Sequence, residues 1–92
     1  MFLLRHNKIF EKKYKKLIKK SKIVEKKIDQ TLEMLEKDPF YPSLRTHNIV
    51  KKNKTKVQSS WAMPDIRIIW RFSKNEIQVI DLLDIGSHDE IY

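Results

Sequence analysis

Apolar positions along this chain follow two different periods. In the first half, Phe10, Tyr14, Leu17 and Ile18 are spaced by four, three and one, with lysines filling the positions between them. That is the stripe of an amphipathic helix. Val24, Ile28, Leu32 and Leu35 repeat the pattern down to about Glu36. Asn7 and Ser21 stand just ahead of the two stripes, and each side chain can accept from an orphan backbone N–H, so each reads as an N-cap. Asp38-Pro39 ends the second helix, because the residue before a proline is pushed out of helical geometry. Two helices joined so closely predict an antiparallel hairpin. Ahead of them, Phe2 to Leu4 reads as a short edge or early strand.

After Pro42 the period shortens to two. Leu44 to Val50 reads as a strand. Lys51 to Lys56 is a polar hairpin connection in which Asn53 is suited to a left-handed turn conformation. Val57 to Ala62 is a second strand, closed by Met63-Pro64. In Asp65 to Phe72, Ile66, Ile68, Trp70 and Phe72 line one face, and Asp65, Arg67, Ile69 and Arg71 line the other. A turn at Ser73 to Glu76 leads to Ile77 to Ile85, which returns antiparallel and is apolar on both faces, so it belongs in the sheet interior. The fold class is α+β: an N-terminal strand, then a two-helix hairpin packed on one face of a small, mainly antiparallel sheet of four to five strands. The helices cover the Ile66/Ile68/Trp70/Phe72 face. The opposite face, with Arg67 and Arg71, has no helix left to cover it and suits an extended ligand.

Ninety-two residues make a single domain, 1–92, with no room for a second core. No cysteine is present, which excludes a disulfide framework and a cysteine-ligated zinc. The opening Met1 to Leu4 is too short for a signal-peptide core or a membrane span. The expectation is a soluble, cytoplasmic protein with no membrane partner. The net charge is +8, unevenly spread: Met1–Lys56 carries 17 Lys/Arg against 6 Asp/Glu, and Val57–Tyr92 carries 3 against 6. A basic half points to a polyanion, nucleic acid first.

Three segments resemble a known family: Leu44-Arg-Thr-His47 after a proline-containing loop, Pro64-Asp-Ile-Arg-Ile-Ile-Trp70, and the ending from Leu82 to Tyr92. With the order of elements, they resemble the RelE/ParE superfamily of toxins from bacterial type II toxin–antitoxin pairs, and within it the RelE and YafQ mRNA interferases. The resemblance covers the whole chain. It implies a metal-independent endoribonuclease without a cofactor, acting on mRNA at the ribosome and neutralised by an antitoxin. It also implies site residues: Arg67 as the central-strand arginine facing RNA, Asp65 as an acidic position of the YafQ type, His47 and His88 as the histidine pair, and Tyr92 as a terminal aromatic. Two positions depart from the YafQ pattern. Trp61 stands in place of a histidine, and Asp84 in place of an arginine.

Metal-free RNA cleavage needs a base for the 2′-OH, an acid for the leaving 5′-oxygen and a cation for the phosphorane. Histidine suits the first two tasks and arginine the third. His88 follows Gly86-Ser87, where glycine lets the backbone leave the sheet; it serves as acid or base, and the base is open between the histidines. Arg67 binds the phosphate or joins a cross-strand ion pair, for example to Asp84. Asp65 orients a histidine or caps its strand. Trp61 and Tyr92 stack bases or pack, and Arg71 is a rim position that can contact RNA. Lys51, Lys52, Lys54 and Lys56 crowd one hairpin and suit RNA phosphate. The alternatives on the same fold are a ParE-like DNA gyrase inhibitor and a non-catalytic relative that only binds its antitoxin.

Overall fold

The computed structural model describes residues 1–51 and 53–91 of the chain. Its elements are β1 (Leu3–His6), α1 (Lys8–Ile18), α2 (Lys22–Lys37), β2 (His47–Val50), β3 (Lys56–Met63), β4 (Ile66–Phe72), β5 (Val79–Gly86) and a short α3 (His88–Ile91). The five strands form one sheet in the order β1-β5-β4-β3-β2. β1 runs parallel to β5, and every other pairing is antiparallel.

The helix boundaries follow their caps. Asn7 Oδ1 accepts from Phe10 N at 2.8 Å, and Ser21 Oγ accepts from Ile23 N and Val24 N. α2 stops at Asp38, ahead of Pro39. The buried helix residues Phe10, Ile28 and Leu35 pack on Ile66, Ile68, Trp70, Ile80, Leu82 and Ile85 of the sheet. The helical pair therefore covers the predicted face of β4. Only Phe72, at the strand's end, stays 39% exposed, against Phe2 and Phe40.

Several details differ from the sequence reading. The first strand begins at Leu3 because Phe2 N donates to Glu36 O at the end of α2 instead of to the sheet. Leu44 is buried in a 3-10 turn at Pro42–Leu44, and Arg45 then takes a left-handed φ of 48°, so the strand starts only at His47. In the β2–β3 hairpin the left-handed residue is Lys54 (φ 65°), not Asn53; the Asn53 side chain instead accepts from Thr55 N at 3.1 Å. β5 starts at Val79 because Gln78 has a left-handed φ of 65°, which leaves Ile77 92% exposed.

The core contains one polar relay. Trp70 is fully buried and its Nε1 donates to Ser60 Oγ at 2.8 Å. Ser60 Oγ lies 2.6 Å from Thr46 Oγ1, and Thr46 Oγ1 donates to Pro39 O at 2.7 Å. Thr46 has one hydroxyl proton, so Ser60 is the donor between them. Between the helices, Tyr14 OH donates to Asp29 Oδ1 at 2.7 Å. Burial, and then this bond to a carboxylate, push the Tyr14 hydroxyl up to about 12.

Two outcomes are expected. Ser60→Ala strands the indole N–H and costs about 1–3 kcal/mol in urea unfolding, whereas Ser60→Ala with Trp70→Phe costs less than the sum of the single changes. Among the three tyrosines, Tyr14 should ionise near pH 12 in a spectrophotometric titration, a component that Tyr14→Phe removes. A raised pKa means the folded state holds this proton more tightly. Its contribution is complete below about pH 10 and is lost as pH rises toward about 12.

Candidate active site

Arg67 is the second residue of β4, on the face away from the helices, paired with Trp61 of β3 and Gly86 of β5. The expected open face is closed here. Arg67 is 6% exposed, and Ile69 and Ser59 beside it are fully buried. Arg67 Nη1 donates to the carbonyls of Pro64 (2.9 Å) and Met63 (3.0 Å), with a longer contact to Ile66 O (3.4 Å). The guanidinium thus sits under the β3–β4 turn, whose carbonyls converge on it. It does not pair with Asp84, which binds Lys13 Nζ of α1 at 2.8 Å.

Trp61 is the lid. The Arg67 guanidinium carbon lies 3.9 Å from its ring centre, and that of Arg45 lies 4.4 Å from it. Both distances are within cation–π range. Arg45 was not among the residues singled out from the sequence. It is exposed, it directly follows the 3-10 turn, and its left-handed φ is the local feature that turns its side chain toward Trp61. The signal that could have found it is its place two residues before His47.

His47 opens β2, opposite Ser59. It is exposed, and its Nδ1 lies 3.0 Å from Arg45 O. A carbonyl can only accept, so Nδ1 carries the proton. Neutral His47 is therefore the Nδ1–H tautomer, with the lone pair on Nε2. This is the arrangement of a proton acceptor held in a fixed orientation.

His88 is the first residue of α3, two residues beyond Gly86, and its side chain is 60% exposed. Its Nδ1 lies 3.7 Å from Asp89 Oδ1. Glycine is not what takes the chain out of the sheet here. Gly86 has no positive φ, and a Cβ added to it would meet Glu90 atoms at 3.6 Å, an ordinary contact. The exit is a capping box. Ser87 Oγ accepts from Glu90 N at 3.2 Å, and Glu90 Oε1 accepts from Ser87 N at 3.4 Å.

The remaining candidates are scattered. Asp65 is exposed in the β3–β4 turn and makes no hydrogen bond or ion pair to a described residue, so it neither orients a histidine nor caps its strand. Arg71 is half-buried opposite Asp81 rather than solvated, its Nε lacking a hydrogen-bond partner among the described residues. It lies about 13 Å along the strand from Arg67, too far to share a phosphate. Lys51, Lys54 and Lys56 stand at the β2–β3 hairpin, the far end of β2 from His47. Lys52 and Tyr92 lie outside the described residues. Among the described residues there is no group of three or more His, Asp or Glu side chains that could hold a metal ion, and no helix is long and apolar enough to cross a membrane.

The sequence matches no family model. No curated protein matches it either. Solved structures do. A metal-bound toxin from Helicobacter pylori superposes with a TM-score of 0.80 at 24% identity, covering 100% of both chains. YafQ from Escherichia coli gives 0.76 at 14%, covering 100% of this chain and 99% of that one. RelE in the archaeal RelE–RelB complex from Pyrococcus horikoshii gives 0.72 at 15%, covering 94% and 93%. The similarity extends over the helical pair and the sheet with its parallel N-terminal edge, and the chain has the fold of the RelE/ParE toxin superfamily.

Proposed function

We propose that this protein is the toxin of a type II toxin–antitoxin pair, an endoribonuclease that cleaves mRNA on the ribosome in the cytoplasm and is neutralised by its antitoxin. One observation supports this reading above the others: His47, its tautomer fixed by the Arg45 carbonyl, is two residues from a guanidinium that shares one indole with that of Arg67. In this reading His47 Nε2 takes the proton from the 2′-OH, and the oxygen attacks the adjacent phosphorus. His88 protonates the leaving 5′-oxygen. Arg67 and Arg45 stabilise the charge that develops on the phosphorane. A base stacks on Trp61 by displacing the exposed Arg45, and the hairpin lysines hold flanking phosphates. Tyr92 stacks on a nucleotide. The solved complexes with antitoxins on this fold, RelE–RelB and YoeB–YefM, support the partner.

The burial of Arg67 is the one observation that favours the non-catalytic, antitoxin-binding alternative. Primer extension on mRNA in a purified translation system separates the readings. New 5′ ends that require ribosomes support the ribonuclease. Intact mRNA with broken DNA trapped on gyrase points to a ParE-like inhibitor, and neither result points to the non-catalytic relative. His47→Gln and His88→Gln are exposed changes that should each lower cleavage about 100-fold or more while leaving urea unfolding unchanged. Arg67→Ala should differ in kind. It should lose about 100-fold in cleavage and also about 1–3 kcal/mol of stability, since it strands turn carbonyls. Full cleavage by His47→Gln would remove that residue as the base.

A further inference from the structure

Strand register brings the start of β1, the β4–β5 turn and the β2–β3 hairpin to one end of the sheet: Leu3 pairs with Val79, Phe72 with Ile80, Gln58 with Trp70 and Val50 with Lys56. The segment after α2 joins them there, since the Phe40 ring centre lies 6.1 Å from that of Phe72. Leu3, Phe40, Tyr41, Val50, Phe72 and Ile77 are all exposed at this end. Ile77 is not carried on a frayed loop. Ser73 Oγ accepts from Asn75 N and Glu76 N, and Ser73 N donates to Val79 O, so the turn is closed by its own bonds. Gln78 then takes its left-handed φ, a conformation unfavourable for a residue with a side chain, and Ile77 is left outside. Lys37, Lys51, Lys54, Lys56 and Lys74 stand on the same segments and form no ion pair with any described residue. The carboxylates there are Glu36, Asp38 and Glu76; Glu76 is bound to Arg5, and Asp38 accepts from Phe40 N.

Apolar side chains held in water among unpaired lysines call for a partner that is both apolar and anionic. RNA would neutralise the lysines and stack on Phe40 and Tyr41, but it would leave Leu3, Val50 and Ile77 bare. A second copy of this end would set lysines against lysines. The width of the patch favours a flat partner over a single helix. Leu3 and Val50 stand on the two edge strands, four strand spacings or about 19 Å apart, whereas a helix with its side chains is about 10–12 Å across. A bilayer surface containing anionic phospholipid supplies both demands. Its headgroups face the lysines, and the aliphatic and aromatic tips enter the boundary with the acyl chains. We propose that this end of the sheet docks on an anionic phospholipid surface. Such an association is peripheral, needs no spanning helix, and departs from the expectation of no membrane partner. No single stretch of the sequence shows the patch, because its residues come from separate segments that only the strand register brings together.

The test sediments the full chain with vesicles of equimolar phosphatidylglycerol and phosphatidylcholine, and with vesicles of phosphatidylcholine alone. The protein should pellet with the anionic vesicles and stay in solution with the neutral ones. Leu3→Ser with Ile77→Ser should weaken binding to the anionic vesicles at least about tenfold, as should Lys37→Glu with Lys74→Glu, with the circular dichroism of both variants unchanged. An RNA oligonucleotide followed by fluorescence anisotropy should be indifferent to the Leu3 and Ile77 changes. The proposal is overturned if the parent protein stays in solution with the anionic vesicles, if it binds the neutral ones as tightly, or if the two serine changes leave vesicle binding as it was. It also falls if those changes weaken RNA binding and not vesicle binding, which would make this end an RNA surface. A dimer in analytical ultracentrifugation that the serine changes dissociate, without vesicle binding, would overturn it in favour of a second copy. Cleavage enters none of these readouts, so the result stands whether or not the ribonuclease reading does.

Discussion

The relay from Trp70 through Ser60 and Thr46 to Pro39 ties the candidate site to the core. An indole N–H at zero exposure must find an acceptor, and here the hydroxyl of Ser60 on the neighbouring strand supplies it. Ser60 then needs a partner for its own proton and finds Thr46, which passes its proton to the carbonyl of Pro39, the residue that follows the C-cap of α2. Thr46 stands between Arg45 and His47. The bonds that satisfy a buried core group therefore also fix the backbone from which the exposed guanidinium and imidazole emerge. A change in the core at Ser60 would be felt at the site without touching any residue there.

Much of this was legible in the sequence because single residues decided it. Asn7, Ser21 and Pro39 set helix ends by local chemistry, and the period-two run through Ile66, Ile68 and Trp70 fixed which face of β4 meets the helices. Arg67 was placed on the correct face but not at the correct depth. Alternation reports which side of a sheet a residue is on, and it says nothing of neighbours that fold over that side. The carbonyls that bury Arg67 come from a turn whose path the pattern does not specify. Left-handed residues were missed for a related reason: Arg45, Lys54 and Gln78 are not the types that favour that region, and the surrounding tertiary bonds impose it. The ending is legible through its serine and glutamate and not through its glycine. Ser87-His88-Asp89-Glu90 has the spacing of a capping box, a sufficient reason for a short helix.

Charge divides the molecule into two surfaces with different demands. On the helix-free face, Arg67 is stacked on an aromatic ring and bonded to carbonyls, so its geometry is fixed before any ligand arrives. On α1 and just past its end, Lys12, Lys16 and Lys20 have flexible stems and no ion-pair partner among the described residues. A planar, preorganised guanidinium recognises a specific oxygen pair, whereas a row of ammonium groups recognises a line of negative charge. One surface is suited to positioning and the other to association.

Arg67 carries the sharpest consequence of this arrangement. A cation at 6% exposure with no carboxylate partner among the described residues is held by dipoles alone, the carbonyls of Met63 and Pro64 and the face of Trp61. Such a site compensates the lost hydration of the cation only in part, and keeps a residual positive field under the indole. An anion approaching this face meets Arg45 first, since Arg45 is exposed and lies against the same ring. If Arg45 leaves the ring to bind it, Trp61 loses one of its two cations and becomes a platform for a base, while Arg67 contributes its field without having to move. Under the ribonuclease reading, the deep burial that keeps Arg67 from direct contact is then what fixes it as a preorganised charge, and the reorganisation falls on Arg45 and Trp61.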